Sequence, residues 1–258
     1  MKIDIDELFD EYLNDFIENN SSTLSASDIE KRIEGLYEEF ANMPNDELGG
    51  LTPFEYYNQM TTESLLNLLK DGVLENGSVS DILCKALEKR SDAEDGLLEL
   101  AFSSSEELSV YAINVLGAMG NKKSLKAFVD SLSTKKLSQN LIDVMTEAIC
   151  LNAELVKEEV LKAYKPTSLG AESFEEIFSN MKNDERVFKI LCANFLNDSK
   201  KLALNAGFLA KYGDDRALPI LYSTLKRRDL SLLDYSEIKT AIEKLGGEVE
   251  DDGRFLSH

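Results

Sequence analysis

A gapless self-match is the sequence feature that most constrains the fold of this chain. The segment VYAINVLGAMGNKKSLKAFVDSL, residues 110–132, aligns with ALNAGFLAKYGDDRALPILYSTL, residues 203–225, at a shift of 93 positions. Leu116 falls on Leu209, and Gly120 falls on Gly213. Apolar residues recur at three- and four-residue steps on both sides of the glycine, so each copy predicts two amphipathic helices joined at that glycine.

Two weaker copies lie between the matched segments. They are SQNLIDVMTEAICLN followed by ELVKEEVLKAY, and ESFEEIFSNM followed by DERVFKILCANFL. A shift that spans three units gives about thirty residues per unit, which is the period of helical solenoids. We therefore predict an all-α fold, a right-handed α-α superhelix in which antiparallel helix pairs stack from about residue 61 to residue 228. An earlier segment, residues 79–102, fits the same scheme less well.

The phrase GDDRALPILYSTL resembles the short HEAT-like repeat of the PBS-lyase group. A glycine ends the first helix, Asp214 or Asp215 caps the second, and Pro219 falls in its first turn, where helix amides lack partners of their own. The resemblance covers roughly residues 79–228. The usual arginine early in the first helix is absent from SVYAINVL and LALNAGFL. The chain thus lacks the residue from which such repeats often stack a polar ladder.

Charge sets the first sixty residues apart from the rest of the chain. The net charge is −20, and residues 1–60 hold 15 acidic against 3 basic residues, a net of −12. Apolar residues at helical spacing run between these acids and predict two amphipathic helices, one around residues 8–16 and one around residues 29–40. We predict three regions: an acidic helical cap at 1–60, the repeat array at 61–233, and a capping helix with a short tail at 234–258.

Repeat arrays of this kind generally present an extended surface to another protein. We therefore expect a non-enzymatic interaction scaffold whose second helices carry the binding lysines, Lys126, Lys157, Lys162, Lys189 and Lys226. The expected partner is an acidic or polar segment of another protein. A net charge of −20 repels nucleic acid and anionic membrane surfaces. The resemblance also leaves open a lyase-type enzyme acting on a protein-bound chromophore or, less favoured, a nucleic-acid-binding repeat protein.

The stretch MPNDELGGLTPFEYY, residues 43–57, has two interpretations. As a helix entry, Thr52 is the N-cap, Pro53 is the first helical residue, and Glu55 reaches back to the amide of Thr52, while Gly49 and Gly50 form a tight reversal. As a ligand site, the free amides would bind an anion. The helix entry is favoured, because the loop contains no basic residue and no phosphate-binding glycine pattern.

Candidate catalytic and metal-binding residues are few. The only histidine is the last residue, His258, and no CxxC pattern accompanies it, so we predict neither a catalytic triad nor a metal or cofactor site. The three cysteines, Cys84, Cys150 and Cys192, lie in apolar helical phrases and are predicted to be reduced and buried. With no leader sequence and no apolar run of about 20 residues, a cytoplasmic location is expected.

Overall fold

In the computed structural model, the described residues are 3–21, 23–168 and 170–250, and their regular secondary structure is helical throughout. This confirms the predicted all-α class. One isolated antiparallel bridge joins Asn45 to Leu51. The α-helices of the described residues are α1 (Ile5–Asn20), α2 (Ala26–Glu30), α3 (Ile33–Ala41), α4 (Pro53–Asn58), α5 (Thr62–Asn76), α6 (Asp81–Glu88), α7 (Glu94–Ala101), α8 (Glu106–Met119), α9 (Lys122–Thr134), α10 (Gln139–Leu151), α11 (Lys157–Ala163), α12 (Ala171–Ser179), α13 (Glu185–Asn197), α14 (Leu202–Tyr212), α15 (Leu218–Leu225) and α16 (Leu232–Lys244).

The chain divides into two compact units, which meet in sequence between Met119 and Gly120. We call them unit 1, which ends at Met119, and unit 2, which begins at Gly120. This division lies inside the predicted repeat array of residues 61–233. The predicted domain boundaries at residues 60 and 233 are not tested by it and remain predictions. His258 and the predicted tail from residue 251 lie outside the described residues. Among the residues that are described, no helix combines the length and the apolar character needed to cross a lipid bilayer.

In unit 1, helices α1, α3 and α4 of the first sixty residues pack in succession, whereas α2 has no buried residue. Helix α1 packs on α3, α3 on α4, and α4 on α6, while α5 contacts α6, α7 and α8. The core between these helices is mainly apolar, with Leu65, Leu69 and Leu97 completely buried and Ser80 and Ser109 as buried polar residues. Arg90, which follows α6, donates from Nη2 to the carbonyl oxygens of Asn58 at the end of α4 and Met60 before α5, at 2.8 and 3.0 Å. The acidic N-terminal helices of unit 1 are therefore joined to α5 and α6 by packing.

Unit 2 has an alternating contact pattern. Helices α10, α12, α14 and α16 contact one another in succession, and we call them the first helices. Helices α9, α11, α13 and α15 alternate with them along the chain, and we call them the second helices. Helix α9 contacts α11, and α13 packs on both α12 and α14. Large aromatic side chains fill the core between these helices, among them the completely buried Phe128, Phe174, Phe178 and Phe195.

The self-match corresponds to equal burial in the two copies. The positions buried in both α8 and α14 at the 93-residue shift are Ser109 with Leu202, Ala112 with Asn205, Ile113 with Ala206, Val115 with Phe208, and Leu116 with Leu209. Each helix is followed by a left-handed glycine, Gly120 at φ 63° and Gly213 at φ 81°. Leu116 and Leu209 thus occupy equivalent positions in their own helices, as predicted.

The N-terminal region contains more helices than the two that its apolar pattern predicts. The segment read as a single helix around residues 29–40 is divided into α2 and α3 by a turn at Lys31 and Arg32. Both turn residues keep right-handed helical dihedral angles, so the chain bends there without reversing. The Arg32 guanidinium lies 5.2 Å from the centre of the Phe16 ring on α1. The bend therefore coincides with a cation–π contact that the spacing of apolar residues does not encode.

The glycine stretch is a helix entry. Gly49 and Gly50 have φ values of 69° and 83°, a backbone region that side chains with a Cβ rarely adopt. Thr52 accepts a hydrogen bond from the amide of Glu55 at 3.1 Å, and the Glu55 carboxylate accepts one from the amide of Thr52 at 2.9 Å. Helix α4 begins at Pro53, as predicted. With both groups engaged in this capping box, local chemistry accounts for the stretch without a ligand.

Candidate interaction surface

The five predicted binding lysines lie on or beside the second helices of unit 2. Lys126 is on α9, Lys157 and Lys162 are on α11, Lys189 is on α13, and Lys226 directly follows α15. All except Lys157 are exposed. The placement on second helices therefore agrees with the sequence interpretation, whereas binding itself is not tested by these positions.

Two of the five lysines have carboxylate partners on their own segment of chain. The Lys157 ammonium lies 2.6 Å from the Glu154 carboxylate, and its side chain is only 19% exposed. Lys189 lies 3.6 Å from Glu185, one helical turn earlier. The other three, Lys126, Lys162 and Lys226, form no ion pair within the described part of the chain, so they remain available to a partner.

An ion-pair ladder connects consecutive second helices. Arg186, at the start of α13, binds the Glu158 carboxylate on α11 through both terminal nitrogens, at 2.6 and 3.0 Å. The same guanidinium binds Asp184, the N-cap of α13, at 2.7 Å. These hydrogen bonds lower the pKa of Asp184 to about 2. Asp184 therefore stays ionised and holds Arg186 toward the preceding repeat.

The arrangement recurs one repeat later. Arg216 binds Asp214 at 2.6 Å and reaches back to Glu185 on α13 at 2.9 Å. Its guanidinium also lies 4.4 Å from the centre of the Phe188 ring. Asp184 and Asp214 each follow a residue with positive φ, Asn183 at 57° in one repeat and Gly213 at 81° in the next. The two ladder steps are thus copies of one local structure.

This ladder was not predicted, because the arginine typical of the first helix is absent. The signal present is the pair of phrases NDER, residues 183–186, and GDDR, residues 213–216. Each combines a residue that tolerates positive φ, a capping aspartate and an arginine two positions later. The ladder is built from Arg186 at the start of α13 and Arg216 in the turn before α15, in place of an arginine in the first helices.

The two helix layers of unit 2 carry opposite charge. Helices α9, α11 and α13 hold seven basic and four acidic residues, a net of +3. Helices α10, α12 and α14 hold five acidic residues and one basic residue, a net of −4. Every second helix but α15, which holds no charged residue, contributes lysines, whereas Lys211 is the single basic residue of those three first helices. The second helices are therefore the basic layer of unit 2.

The three cysteines are free thiols that are half-buried, rather than buried as predicted. Burial raises the pKa of Cys84 and of Cys150 to about 12, and that of Cys192 to about 11. A thiol with such a pKa is protonated at neutral pH and is a weak nucleophile. Packing, rather than reactivity, accounts for their positions.

The chain was compared with protein-family models and with curated proteins. No family model matches the chain, and no curated protein matches it. The resemblance to HEAT-like repeats therefore rests on the residues of the repeats themselves.

Proposed function

We propose that this protein is a non-enzymatic interaction scaffold in which HEAT-like helix pairs form a right-handed superhelix. Its partner is another protein, and the second helices of unit 2 provide the binding surface. The first sixty residues act as the N-terminal cap of the array, and the partner contributes an acidic segment.

The succession of contacts among the first helices supports the superhelix. Helices that occur at every second position along unit 2 pack on one another in order, which is how repeat proteins bury the apolar face of each unit. The ladder links residues 28 positions apart at Glu158 and Arg186, and 31 positions apart at Glu185 and Arg216. A near-constant spacing between contacting residues is expected where each repeat touches only its neighbours.

The charge of the second-helix layer is the observation that carries the proposed binding surface. In a chain with net charge −20, these helices collect a positive excess. Lys126 and Lys162 on them, and Lys226 directly after α15, form no ion pair within 4 Å in the described part of the chain, although Lys126 lies near enough to Glu159 to lower the pKa of that carboxyl. Opposite charge on a partner raises its association rate and fixes its orientation. Nucleic acid is also anionic, but the net charge of the whole chain repels a long polyanion.

The proposal is tested by reversing the three available lysines together, Lys126→Glu, Lys162→Glu and Lys226→Glu. The wild-type and variant proteins are used for affinity capture from native extract. Each recovered partner is then purified, and its association rate with both proteins is measured at several salt concentrations. We expect the association rate of a true partner to fall at low salt, with little difference at high salt.

A matched control carries the same change in charge outside the second helices, with Lys136→Glu, Lys165→Glu and Lys244→Glu. These residues are also exposed, and they lie in two inter-helix loops and at the end of α16. Equal loss of binding in both triple variants would show that only overall charge matters. Unchanged binding in the first variant, with its helical content intact, would remove the second helices as the binding surface.

A further inference from the structure

A cleft in unit 1 separates α3 from the start of α6. It encloses about 660 Å³ and has one wall from α3, with Ile33 and Tyr37, and another from Val79, Ser80 and Asp81. The Tyr37 hydroxyl crosses the cleft to lie 3.0 Å from the hydroxyl oxygen of Ser80. This hydrogen bond links α3 to the residue that caps α6 and fixes the position of the Tyr37 ring in the cleft.

The floor of the cleft is apolar and partly accessible to solvent. Ile33 is 38% exposed, although it is a large aliphatic residue on a helix that packs against two others. Val79 and Tyr37 are half-buried beside it. A second cleft of about 320 Å³ shares Tyr37, Glu38 and Lys85 with the first and continues toward Phe54. Together the two form one groove along α3 that can receive an aliphatic side chain.

Carboxylates surround the apolar floor. Asp6, Glu30, Glu38 and Asp81 line the wider part of the groove, where Lys85 is the one basic lining residue. None of the four forms an ion pair within the described part of the chain. Burial raises the pKa of Asp6, and the nearby charges of Asp4, Asp10 and Asp81 add to the effect. A hydrogen bond from Ser80 offsets part of this effect, and a bound cation would stabilise the ionised Asp6 further.

The opposite end of the groove has different electrostatics. Lys89 places its ammonium 3.8 Å from the centre of the Phe54 ring, and Lys85 lies between the two clefts. A bound segment would thus meet negative charge at the Asp6 end and positive charge at the Phe54 end. This polarity gives the groove a preferred direction for its occupant.

We propose that this groove binds a short extended segment of another protein in which lysine or arginine residues alternate with aliphatic residues. The aliphatic side chains lie on Ile33 and Tyr37, and the cationic side chains meet Asp6, Glu30 and Asp81. Charge complementarity favours this occupant over a second copy of the chain. Unit 1 contains 26 acidic and 7 basic residues, a net of −19, so the unit 1 surfaces of two copies repel each other.

The probe for the test is a fluorescein-labelled peptide of sequence Gly-Arg-Leu-Arg-Leu-Gly, titrated with the full-length protein and followed by fluorescence anisotropy at moderate salt. Two further peptides separate the contributions: one replaces the leucines with glycine, and the other replaces the arginines with glutamate. We expect saturable binding of the first peptide, binding weaker by about fivefold or more without leucine, and no measurable binding of the acidic peptide.

Two variants address the groove and one serves as the control. Ile33→Lys alters the floor, and Glu30→Gln with Asp81→Asn removes two wall charges. The control, Asp15→Asn with Glu18→Gln, removes two exposed charges from α1, away from the groove. We expect either groove variant to weaken binding about fivefold and the control to change it less than twofold.

Three outcomes would overturn the proposal: the absence of saturable binding to the wild-type protein, equal weakening by the control and groove variants, or equal binding of the peptide that lacks leucine. Hydrogen exchange measured by mass spectrometry provides a second readout. Peptide binding is expected to slow exchange in residues 33–41 and 79–89, and slower exchange elsewhere alone would place the peptide at another site.

Discussion

Unit 1 and unit 2 are similar in length and both are all-helical, yet they differ sharply in charge. Unit 1 has a net charge of −19, whereas residues 120–258 hold 22 acidic and 21 basic residues, a net of −1. In unit 2 the acids have basic partners on neighbouring helices, as at Glu158 and Glu185. Both units fold as packed helices, but ion pairs between helices accompany the fold in unit 2, whereas unit 1 folds with a large excess of acidic residues.

The pKa values of the carboxyl groups make the same distinction. In unit 2, hydrogen bonds from arginine lower the pKa values of Asp184, Glu158 and Glu185. In unit 1, burial raises the pKa values of Asp6 and Glu88. Ionisation is therefore favoured for the arginine-bound carboxyl groups of unit 2 and disfavoured for Asp6 and Glu88 of unit 1. Each unit also holds one group of the other kind: burial raises the pKa of Glu175 in unit 2, and hydrogen bonds with Ser25 lower the pKa of Asp28 in unit 1. Unit 1 must depend on apolar packing and on its turns and caps.

The largest effect is expected at the glycine turn of unit 1. Gly50→Ala should destabilise the protein by about 1–2 kcal/mol, because alanine resists the left-handed conformation. Gly35→Ala is the control: Gly35 lies within α3, and a Cβ there would meet nothing within 4 Å. That substitution should instead stabilise the protein by about 0.5–1 kcal/mol. Urea unfolding followed by circular dichroism measures both, and equal effects would contradict a structured turn.

The cap of α4 should give a smaller effect. Thr52→Ala removes the oxygen that accepts from the amide of Glu55, and we expect a loss of about 1 kcal/mol. Thr52→Ser keeps the hydroxyl and should stay close to the wild-type stability. The loss should be similar at low and high salt, because a neutral hydroxyl makes the bond. A loss that disappears in salt would mean that unit 1 also depends on ion pairs.

Salt should then act on the two units in opposite directions. Raising the concentration of sodium chloride screens the self-repulsion of unit 1 and also screens the ladder of unit 2. Hydrogen exchange on the intact chain should become slower in unit 1 and faster around Arg186 and Arg216. Arg216→Ala should speed exchange near α15 at low salt and make it less sensitive to salt. The same change in exchange rate with salt in both units would contradict the proposed difference in their electrostatics.

The smallest expected effect is that of mild acid. A raised folded-state pKa means that Asp6 and Glu88 bind protons more tightly in the folded state, so lowering the pH from 7 toward 4.5 should stabilise unit 1. The lowered pKa values of Asp184 and Glu158 work the other way, and unit 2 should lose stability as the pH falls further toward 2. Exchange rates corrected for intrinsic pH dependence test this. Loss of stability in unit 1 first would contradict it.

Several elements of this structure can be predicted from the sequence, because their causes are local. The turn at Gly49 and Gly50, the capping box of Thr52 and the phase of burial in α8 and α14 all follow from residues close together in the chain. The contact of Arg32 with Phe16 and the ladder through Arg186 join separate helices, and their partners depend on packing. The net charge of each layer in unit 2 can be counted once the helix boundaries are known, but apolar periodicity places those boundaries only approximately.

The ladder has a consequence for how the chain tolerates changes in length. Asp184 caps its own helix, holds the arginine that reaches back to Glu158, and through its backbone exchanges two hydrogen bonds with the hydroxyl of Tyr212 in the next repeat, both at 3.0 Å. One residue thus takes part in contacts among α11, α13 and α14, so we expect a local loss of structure at Asp184 to affect all three helices. Insertion of one whole repeat preserves this relay, whereas insertion of a few residues between Glu158 and Asp184 moves the arginine out of reach. We therefore expect insertions of about thirty residues, the length of one helix pair, to be tolerated better than shorter ones.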